Sequence, residues 1–278
     1  CAMKVLPSHL DEAEVRAEQG LALLLEKLLA ERGWDFRGYK KTSLTRRVLK
    51  RLQANGLSSV KEYLSLLDSD PSEYQRLFSC LTIKVSEFFR EPEVFAALSD
   101  ILRQDFCGSP VRAWCCASAC GEEAYSLAIL LFECLGMDAL SASKVFATDI
   151  DPEALEYGRR ATYRIDSVAN VSPEIKERYF IDMDGQFKVK YTVRNIVKFG
   201  TLDIVRNPPL SGMQLVFCRN LFIYFDKPLQ EKVFHKLDYA LKPGGVLALG
   251  RAEVLPQQYS SGYEPVGKGL NLFRKKGK

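Results

Sequence analysis

The stretch Val111-Arg-Ala-Trp-Cys-Cys-Ala-Ser-Ala-Cys-Gly-Glu-Glu-Ala-Tyr125 decides the fold of this chain. It begins as a short apolar strand, turns through small residues to Gly121, and continues as a helix that opens with Glu122 and Glu123. A second apolar run, 145–148, ends at Asp149. A strand, a tight turn, a helix and a second strand with an acidic tip are typical of a nucleoside-binding βαβ unit.

The residues around the turn indicate what kind of ligand this unit binds. A phosphate-binding loop has Lys and Ser or Thr after its last glycine, but Gly121 is followed by Glu122 and Glu123. These carboxylates satisfy the positive end of the helix and repel phosphate. A ligand with positive charge and no phosphate fits better, and S-adenosylmethionine is such a ligand. Asp149 is placed to accept ribose hydroxyls. The alternative is that the two glutamates only cap the helix.

Composition limits the class of protein. The chain has 278 residues, 47% of them hydrophobic and 27% charged, which is enough for a full core and a soluble surface. A net charge of +4 does not by itself indicate nucleic acid. No apolar run reaches the roughly 18 residues of a membrane span, and no signal peptide is visible. We therefore expect a cytoplasmic protein that does not insert into membranes.

The eight cysteines are interpreted as free thiols of a reducing compartment. They form no C-x-x-C pair, and no histidine lies near Cys115, Cys116 and Cys120 in the sequence. We expect these three to be small residues of a tight turn and predict no metal site.

The first part of the chain, 1–84, is predicted to be a small all-helical domain. Leucines recur at helical spacing between residues 10 and 30. Thr42 or Ser43 is expected to cap a second helix, and Ser58 or Ser59 a third. Asp70-Pro-Ser-Glu73 predicts a fourth helix start, with Pro71 at the first helical position and Glu73 reaching back to the cap.

The remainder, 85–278, alternates strands and helices and predicts a Rossmann-like α/β domain with a doubly wound parallel sheet. Strands are expected at 111–116, 145–148, 197–199, 215–218 and 246–249, and an edge strand within 270–275. Asp184-Gly185 lies between two short β segments, which predicts an inserted antiparallel hairpin or small β subdomain over about 176–198.

Two further segments favour a methyltransferase. Leu241-Lys-Pro-Gly-Gly-Val-Leu-Ala-Leu249 predicts a helix, a sharp turn at Gly244-Gly245 and a strand, an arrangement found in many methyltransferases. Leu202-Asp-Ile204 ends another strand, where Asp203 can accept a hydrogen bond from an adenine amino group.

Taken together, several motifs resemble one family, the CheR-type chemotaxis receptor methyltransferases. Ser86-Glu-Phe-Phe-Arg90 is similar to its Thr-x-Phe-Phe-Arg signature, and Gly121-Glu-Glu-Ala-Tyr-Ser126 to its Gly-Glu-Glu-Pro-Tyr-Ser. Ala147-Thr-Asp-Ile-Asp151, Phe217-Cys-Arg-Asn-Leu-Phe-Ile-Tyr-Phe-Asp226 and Leu249-Gly-Arg-Ala-Glu253 match further segments of the family in the same order. The similarity covers nearly the whole chain.

The resemblance implies an activity and a set of site residues. Family members methylate glutamate side chains of chemoreceptors with S-adenosylmethionine, which leaves S-adenosylhomocysteine, in sensory adaptation. Carried over by motif, the cofactor-binding positions are Lys84, Ser86, Arg90, Glu122, Asp149, Asp203, Ile204, Asn220 and Leu221. The positions flanking the reacting methyl group are Arg90 and Tyr224.

The resemblance also implies a partner. The family's helical domain faces the acidic, glutamate-bearing helices of the receptor, so the basic residues around the second predicted helix are candidates for a substrate-facing patch. They are Lys40, Lys41, Arg46, Arg47, Lys50 and Arg51. A solvated helix face is the alternative interpretation. We expect a monomer. Receptor-tail binding by strand addition to the hairpin is not predicted, because the hairpin is short.

The chain departs from the family pattern at Lys84, where Asn is usual, and in the turn 115–120, which lacks a glycine near its start. Two hypotheses therefore stay open: an active protein-glutamate methyltransferase, and a degenerate member that binds the cofactor or a partner without catalysis. A nucleic-acid methyltransferase is less favoured, since no Asn/Asp-Pro-Pro-Tyr motif is present to hold a flipped base.

Overall fold

A computed structural model describes residues 9–82 and 84–277 of the chain, with side chains described from residue 20 onward. The chain divides into two compact units. One contains the described residues up to Thr82 together with Tyr224–Leu229, and the other contains Lys84–Ile223 and the described residues from Gln230 onward. We refer to them as the helical unit and the α/β unit.

Four helices build the helical unit. They are α1 (His9–Arg32), α2 (Lys41–Ala54), α3 (Val60–Ser69) and α4 (Ser72–Leu81). The predicted leucine face of α1 is confirmed, since Leu21, Leu24, Leu25 and Leu28 are buried. The Ser59 side chain accepts a hydrogen bond from the Glu62 backbone N–H, as expected of a helix cap.

The start of α2 differs from the sequence prediction. Thr42 and Ser43 lie inside the helix, and Lys40 precedes it with extended backbone and no side-chain cap. The preceding residue, Tyr39, forms an antiparallel bridge with Phe225, and the Lys40 N–H donates to the Tyr224 carbonyl at 2.8 Å. Pairing with a distant segment therefore fixes where α2 begins, and the local capping signal does not.

Glu73 also differs from expectation. Asp70 accepts the Ser72 N–H at 2.9 Å, but α4 begins one residue later than predicted, with Pro71 in the N-cap position. Glu73 does not reach back to the cap but turns inward and is fully buried. Its carboxylate accepts hydrogen bonds from Arg51 at 2.6 Å and from the Tyr63 hydroxyl at 2.6 Å. Burial opposes ionisation, but the bonds from Arg51 and Tyr63 outweigh it and lower the pKa of Glu73. This buried cluster joins α2, α3 and α4.

We predict that Glu73→Gln destabilises the helical unit by about 3 kcal/mol at neutral pH, because it leaves the Arg51 charge poorly compensated. The pKa of Glu73 is lowered by folding, so its stabilising contribution is present above the unfolded pKa of about 4.3 and is lost as pH falls through the folded pKa. Hydrogen exchange of α2–α4 peptides measures the loss, with β1 and β2 peptides as an internal reference.

The matched control is Glu26→Gln, which removes a carboxylate whose side chain is 63% exposed. Its helices should exchange like those of the unmodified chain. Equal protection of α2–α4 in both variants at pH 7 would contradict a stabilising role for the Glu73 cluster.

The α/β unit contains two sheets. Its helices are α5 (Pro92–Asp105), α6 (Glu122–Cys134), α7 (Met137–Ala142), α8 (Pro152–Arg160), α9 (Pro173–Tyr179), α10 (Tyr191–Ile196) and α11 (Lys227–Ala240), the last beginning in the other unit. Its strands are β1 (Arg112–Cys116), β2 (Lys144–Asp149), β3 (Thr162–Arg164), β4 (Phe180–Asp182), β5 (Gln186–Val189), β6 (Val197–Thr201), β7 (Met213–Cys218), β8 (Leu241–Leu249), β9 (Tyr263–Pro265) and β10 (Leu272–Lys275).

The large sheet has the order β6-β2-β1-β7-β8-β10-β9, and its first five strands are parallel. The predicted doubly wound sheet is thus confirmed. The expected edge strand, β10, instead lies between β8 and β9 and pairs antiparallel with both. The hairpin around Asp184-Gly185 is confirmed as β4 and β5, and β3 extends it to a second, three-stranded antiparallel sheet.

The turn predicted at Gly244-Gly245 is found as a β-bulge inside β8, which begins before these glycines, at Leu241. Met213 pairs with Leu241 and Leu215 with Val246, so β8 holds more residues than the facing part of β7. Gly244 has φ +77°, and a Cβ at Gly245 would lie 2.9 Å from the Gln214 carbonyl oxygen. Only a chain without side chains at this point can make the bulge and keep pairing with β7.

Candidate functional site

The carboxyl ends of four neighbouring parallel strands, β6, β2, β1 and β7, bring most predicted cofactor residues to one edge of the sheet. Asp203 follows β6, Asp149 ends β2, Glu122 follows the turn after β1, and Asn220 follows β7. The strand order reverses between β1 and β7, because the chain runs from β1 outward to β6 on one side and to β8 on the other. Ligands of doubly wound sheets bind at such a point.

The turn after β1 is built from left-handed residues although it has few glycines. Ala117 and Ala119 have φ +55° and +47°, and Gly121 has φ +92°. A Cβ at Gly121 would lie 2.8 Å from the Phe199 ring, so glycine is required there. The two alanines thus adopt the left-handed conformation that favours glycine, at a cost of about 1 kcal/mol each.

Asp149 organises this turn. Its carboxylate accepts the Ala119 N–H at 2.8 Å and the Asp151 N–H at 2.9 Å, one on each oxygen. Burial raises the pKa of Asp149, and the two backbone donors oppose that rise. Asp151 in turn accepts the N–H groups of Glu153 and Ala154 and caps α8. These hydrogen bonds hold residues 149–151 at the end of β2, which we call the acidic corner.

Glu122 is a buried carboxyl of the site with an oxygen unpaired among the described residues. It is only 4% exposed, and burial raises the pKa of its carboxyl to about 7, against an opposing hydrogen bond from the Ser86 side chain. Oxygen Oε2 is buried with no hydrogen-bond partner in the described part of the chain. A buried acceptor without a donor indicates a ligand that supplies one. The ammonium or hydroxyl groups of S-adenosylmethionine fit this requirement.

Lys84 is held by two carboxylates. Its Nζ lies 2.8 Å from Asp151 Oδ2 and 3.1 Å from Glu153 Oε2. Burial lowers and these two carboxylates raise the pKa of Lys84, and the net change is upward. The lysine that departs from the family pattern is thus an ion-pair partner of the acidic corner after β2.

Arg90 is fixed through its backbone. The flanking residues Phe89 and Glu91 have φ +50° and +59°. The Phe89 N–H donates to Ser126 Oγ at 2.9 Å, and the Arg90 carbonyl accepts from Arg219 Nη1 at 3.1 Å. The half-buried Arg90 side chain makes none of the ion pairs found between described residues. Its guanidinium is therefore available for a substrate or a cofactor carboxylate.

The loop after β7 that carries Asn220 and Leu221 is held by Glu253. This carboxylate, 4% exposed, accepts N–H groups from Asn220 at 3.0 Å, Phe222 at 2.6 Å and Gly250 at 2.6 Å. Asn220 has φ +61°, and a Cβ at Gly250 would lie 2.8 Å from the Asn220 nitrogen. These contacts restrain the conformation of the loop.

Asp203 and Ile204 lie in a short closed loop after β6. The Asp203 N–H donates to Asn207 Oδ1 at 2.8 Å, and the Val205 N–H donates to Asp203 Oδ1 at 2.8 Å. Lys236 donates to the Ile204 carbonyl at 2.7 Å. Hydrogen bonds therefore hold each of the four strand-end loops, either within the loop or from a neighbouring element.

Tyr224, the second residue expected to flank the methyl group, belongs to the helical unit. Its ring lies 5.1 Å from the Arg47 guanidinium carbon, a cation–π contact. Arg47 is buried and Arg51 binds Glu73, so neither belongs to an exposed patch, and this part of the basic-patch prediction is corrected. The exposed basic side chains that remain are Lys40, Lys41, Arg46 and Lys50.

Sequence reasoning missed the role of Arg219. Its side chain is 1% exposed and pairs with Glu91 at 2.8 Å and Glu123 at 2.6 Å. It thereby joins the end of β7 to the first turns of α5 and α6. Arg219 lies in the motif 217–226 that was recognised in the sequence. Only the fold shows that Glu91 and Glu123 both pair with its side chain.

A doubly wound sheet whose carboxyl edge carries Glu122 and Asp149, which together we call the acidic pocket, is typical of a nucleoside-binding α/β domain. Comparison with known families narrows this class. Residues 84–266 match the "CheR methyltransferase, SAM binding domain", and residues 19–82 match the "CheR methyltransferase, all-alpha domain". The chain therefore belongs to the CheR methyltransferase family. Among the residues that the structure describes, no helix is both long and apolar enough to cross a membrane.

Three relatives illustrate this membership. A chemotaxis protein methyltransferase of Salmonella typhimurium is 33% identical over 264 residues, covering 89% of this chain and 90% of the relative. One of Escherichia coli is 34% identical over 223 residues, covering 77% of each. An uncharacterized 104.1 kDa protein of Rhodobacter capsulatus is 32% identical over 245 residues, and the match spans 86% of this chain but 26% of that protein.

We predict that Glu122→Gln stabilises the ligand-free chain at pH 8 yet weakens S-adenosylhomocysteine binding at least about 10-fold. Burial raises the pKa of Glu122 to about 7, so its ionisation destabilises the fold increasingly as pH rises from 4.5 to 7. The difference at pH 8 is on the order of 3 kcal/mol and should vanish below pH 4.5. Urea denaturation and calorimetry measure the two effects.

Glu156→Gln on α8 is the matched control, since that side chain is 53% exposed. It should change neither the stability nor the affinity. Unchanged binding in Glu122→Gln would show that this carboxylate does not contact the ligand.

We further predict that Lys84→Asn, which restores the family residue, weakens S-adenosylhomocysteine binding roughly 10-fold. The substitution leaves the buried Asp151 carboxylate without its lysine and loosens the corner that carries Asp149. Lys84→Arg should retain binding, and Lys198→Asn on exposed β6 serves as the control. Tighter binding by Lys84→Asn would mean instead that the lysine is a handicap.

Proposed function

We propose that this chain is a protein-glutamate O-methyltransferase that transfers a methyl group from S-adenosylmethionine to glutamate side chains of chemoreceptors. The observation that carries the proposal is the buried Glu122 oxygen without a donor in the described residues, at the same edge of a CheR-family sheet as Asp149. An acidic pocket of this kind selects a cationic nucleoside over a phosphorylated one. Two of the relatives reported above are named chemotaxis protein methyltransferases.

The residues support a mechanism based on positioning. A bound S-adenosylmethionine supplies an electrophilic methyl group on a sulfonium. Glu122 and Asp149 would hold the cofactor's polar groups, and Asp203 its adenine. A substrate glutamate is already ionised at neutral pH, so no general base is required. Positioning of this carboxylate by residues of the chain would provide most of the acceleration.

Arg90 is the residue that we propose holds the substrate carboxylate. One hydrogen bond to one oxygen orients the group and leaves the other oxygen to attack. By resemblance to the family, Tyr224 is the second proposed catalytic residue, and it has a hydroxyl and an aromatic face that can interact with a cation. The exposed Lys40, Lys41, Arg46 and Lys50 would attract the acidic receptor helices. The proposal places this reaction in the cytoplasm.

Transfer of labelled methyl groups to receptor cytoplasmic fragments tests the proposal. We predict base-labile labelling, as expected of glutamate methyl esters, and a decrease of at least about 100-fold in Arg90→Ala, because the carboxylate is then misplaced. Arg103→Ala, which removes an exposed arginine from α5, is the matched control and should label normally.

Other outcomes separate the competing hypotheses. Cofactor binding without labelling of several receptors would favour the non-catalytic member of the family. Base-stable labelling would contradict the ester product. Normal labelling by Arg90→Ala would remove Arg90 from the mechanism while leaving the activity in place.

A further inference from the structure

Lys236 on α11 makes an unusual set of contacts with the loop after β6. Its ammonium donates to three backbone carbonyls, those of Ile204 at 2.7 Å, Val205 at 3.0 Å and Asn207 at 2.7 Å. A lysine ammonium has three protons, so this geometry uses all of them. The side chain is half-buried. Lys236 therefore stabilises the loop after β6 by binding its backbone carbonyls, and it is not a solvated surface charge.

The same loop carries Asp203, and its other hydrogen bonds converge on that residue. The Asp203 N–H donates to Asn207 Oδ1 at 2.8 Å, and the Asp203 carbonyl accepts the Asn207 N–H at 2.7 Å. The Val205 N–H donates to Asp203 Oδ1 at 2.8 Å. Lys236 binds the carbonyls of Val205 and Asn207, which are the residues that hold Asp203. Lys236 thus fixes the orientation of the Asp203 carboxylate indirectly.

We propose that Lys236 is a positioning residue that gives the site its selectivity for adenine. The inference rests on the proposed cofactor. Asp203 can accept a hydrogen bond from the exocyclic amino group of adenine only if its carboxylate is held in one direction. Hypoxanthine carries an oxygen in place of that amino group, and a fixed carboxylate repels it. If the Asp203 carboxylate were mobile, it could rotate away from the hypoxanthine oxygen. The site would then distinguish poorly between adenine and hypoxanthine.

The experiment compares the dissociation constants of S-adenosylhomocysteine and S-inosylhomocysteine by calorimetry. We expect the unmodified chain to prefer the adenine ligand about 10- to 100-fold, as is typical of one hydrogen bond to a charged group. Lys236→Met should lower this preference to about 3-fold or less. Lys236→Arg, which keeps several donors, should restore most of it. A purely structural role would weaken both ligands equally and leave their ratio unchanged.

Lys232→Met is the matched control, because Lys232 is exposed one turn earlier on the same helix. It should behave like the unmodified chain. Lys236→Gln provides a milder variant if Lys236→Met does not fold, and an intermediate ratio is expected. In an Asp203→Ala background, Lys236→Met should not change the ratio further, since the residue through which it acts is absent.

The outcomes separate this inference from the proposed function. An unmodified chain that binds neither ligand overturns both. An unmodified chain that prefers adenine, together with a Lys236→Met variant that keeps the preference, overturns only the role of Lys236. A further change of the ratio in the Asp203→Ala background would show that Lys236 acts through another group.

Discussion

The buried Arg219 is the interaction on which the site depends. It places one positive charge, 1% exposed, between Glu91 and Glu123, and it also donates to the Arg90 carbonyl. Glu91 and Glu123 stand at the first turns of α5 and α6, where carboxylates are also favoured by the helix dipole. Removing Arg219 would leave two partly buried carboxylates without their counter-charge and release the segment that presents Arg90. The arginine thus couples the end of β7 to both helices that frame the pocket.

The backbone around the pocket is held in conformations that L-residues rarely adopt. Phe89, Glu91, Ala117, Ala119 and Asn220 all have positive φ, and they are five of the seven such non-glycine residues in the described chain. Polar partners hold several of these residues, such as Asp149 for Ala119 and Glu253 for Asn220. Strain of this kind persists only where the surroundings over-determine it. The pocket is therefore shaped before a ligand arrives, which suits a reaction accelerated by placement.

Local patterns in the sequence were sufficient for the α/β plan, because apolar runs, the Asp184-Gly185 turn and the acid-tipped strand report on structure within a few residues. They failed where distant segments decide the outcome. Glu73 satisfies a local capping pattern, yet Arg51 and Tyr63 draw it inward. The start of α2 is fixed by pairing with Phe225. The partners of Lys84 could not be derived either, since Asp151 is remote in sequence and adjacent only in the fold.

The acidic pocket also combines features that the sequence shows with features that only the fold shows. The sequence identifies Glu122 and Asp149 as acidic residues. Only the fold shows that they are shielded from solvent, which raises the pKa of both carboxyls. A carboxyl with a pKa of about 7 is partly protonated at neutral pH in the ligand-free chain. A cationic ligand favours its ionised form, so binding such a ligand and releasing a proton are linked. A positively charged ligand reduces the unfavourable free energy of ionising the buried Glu122 carboxylate, so this residue favours a cationic ligand over a neutral or anionic one.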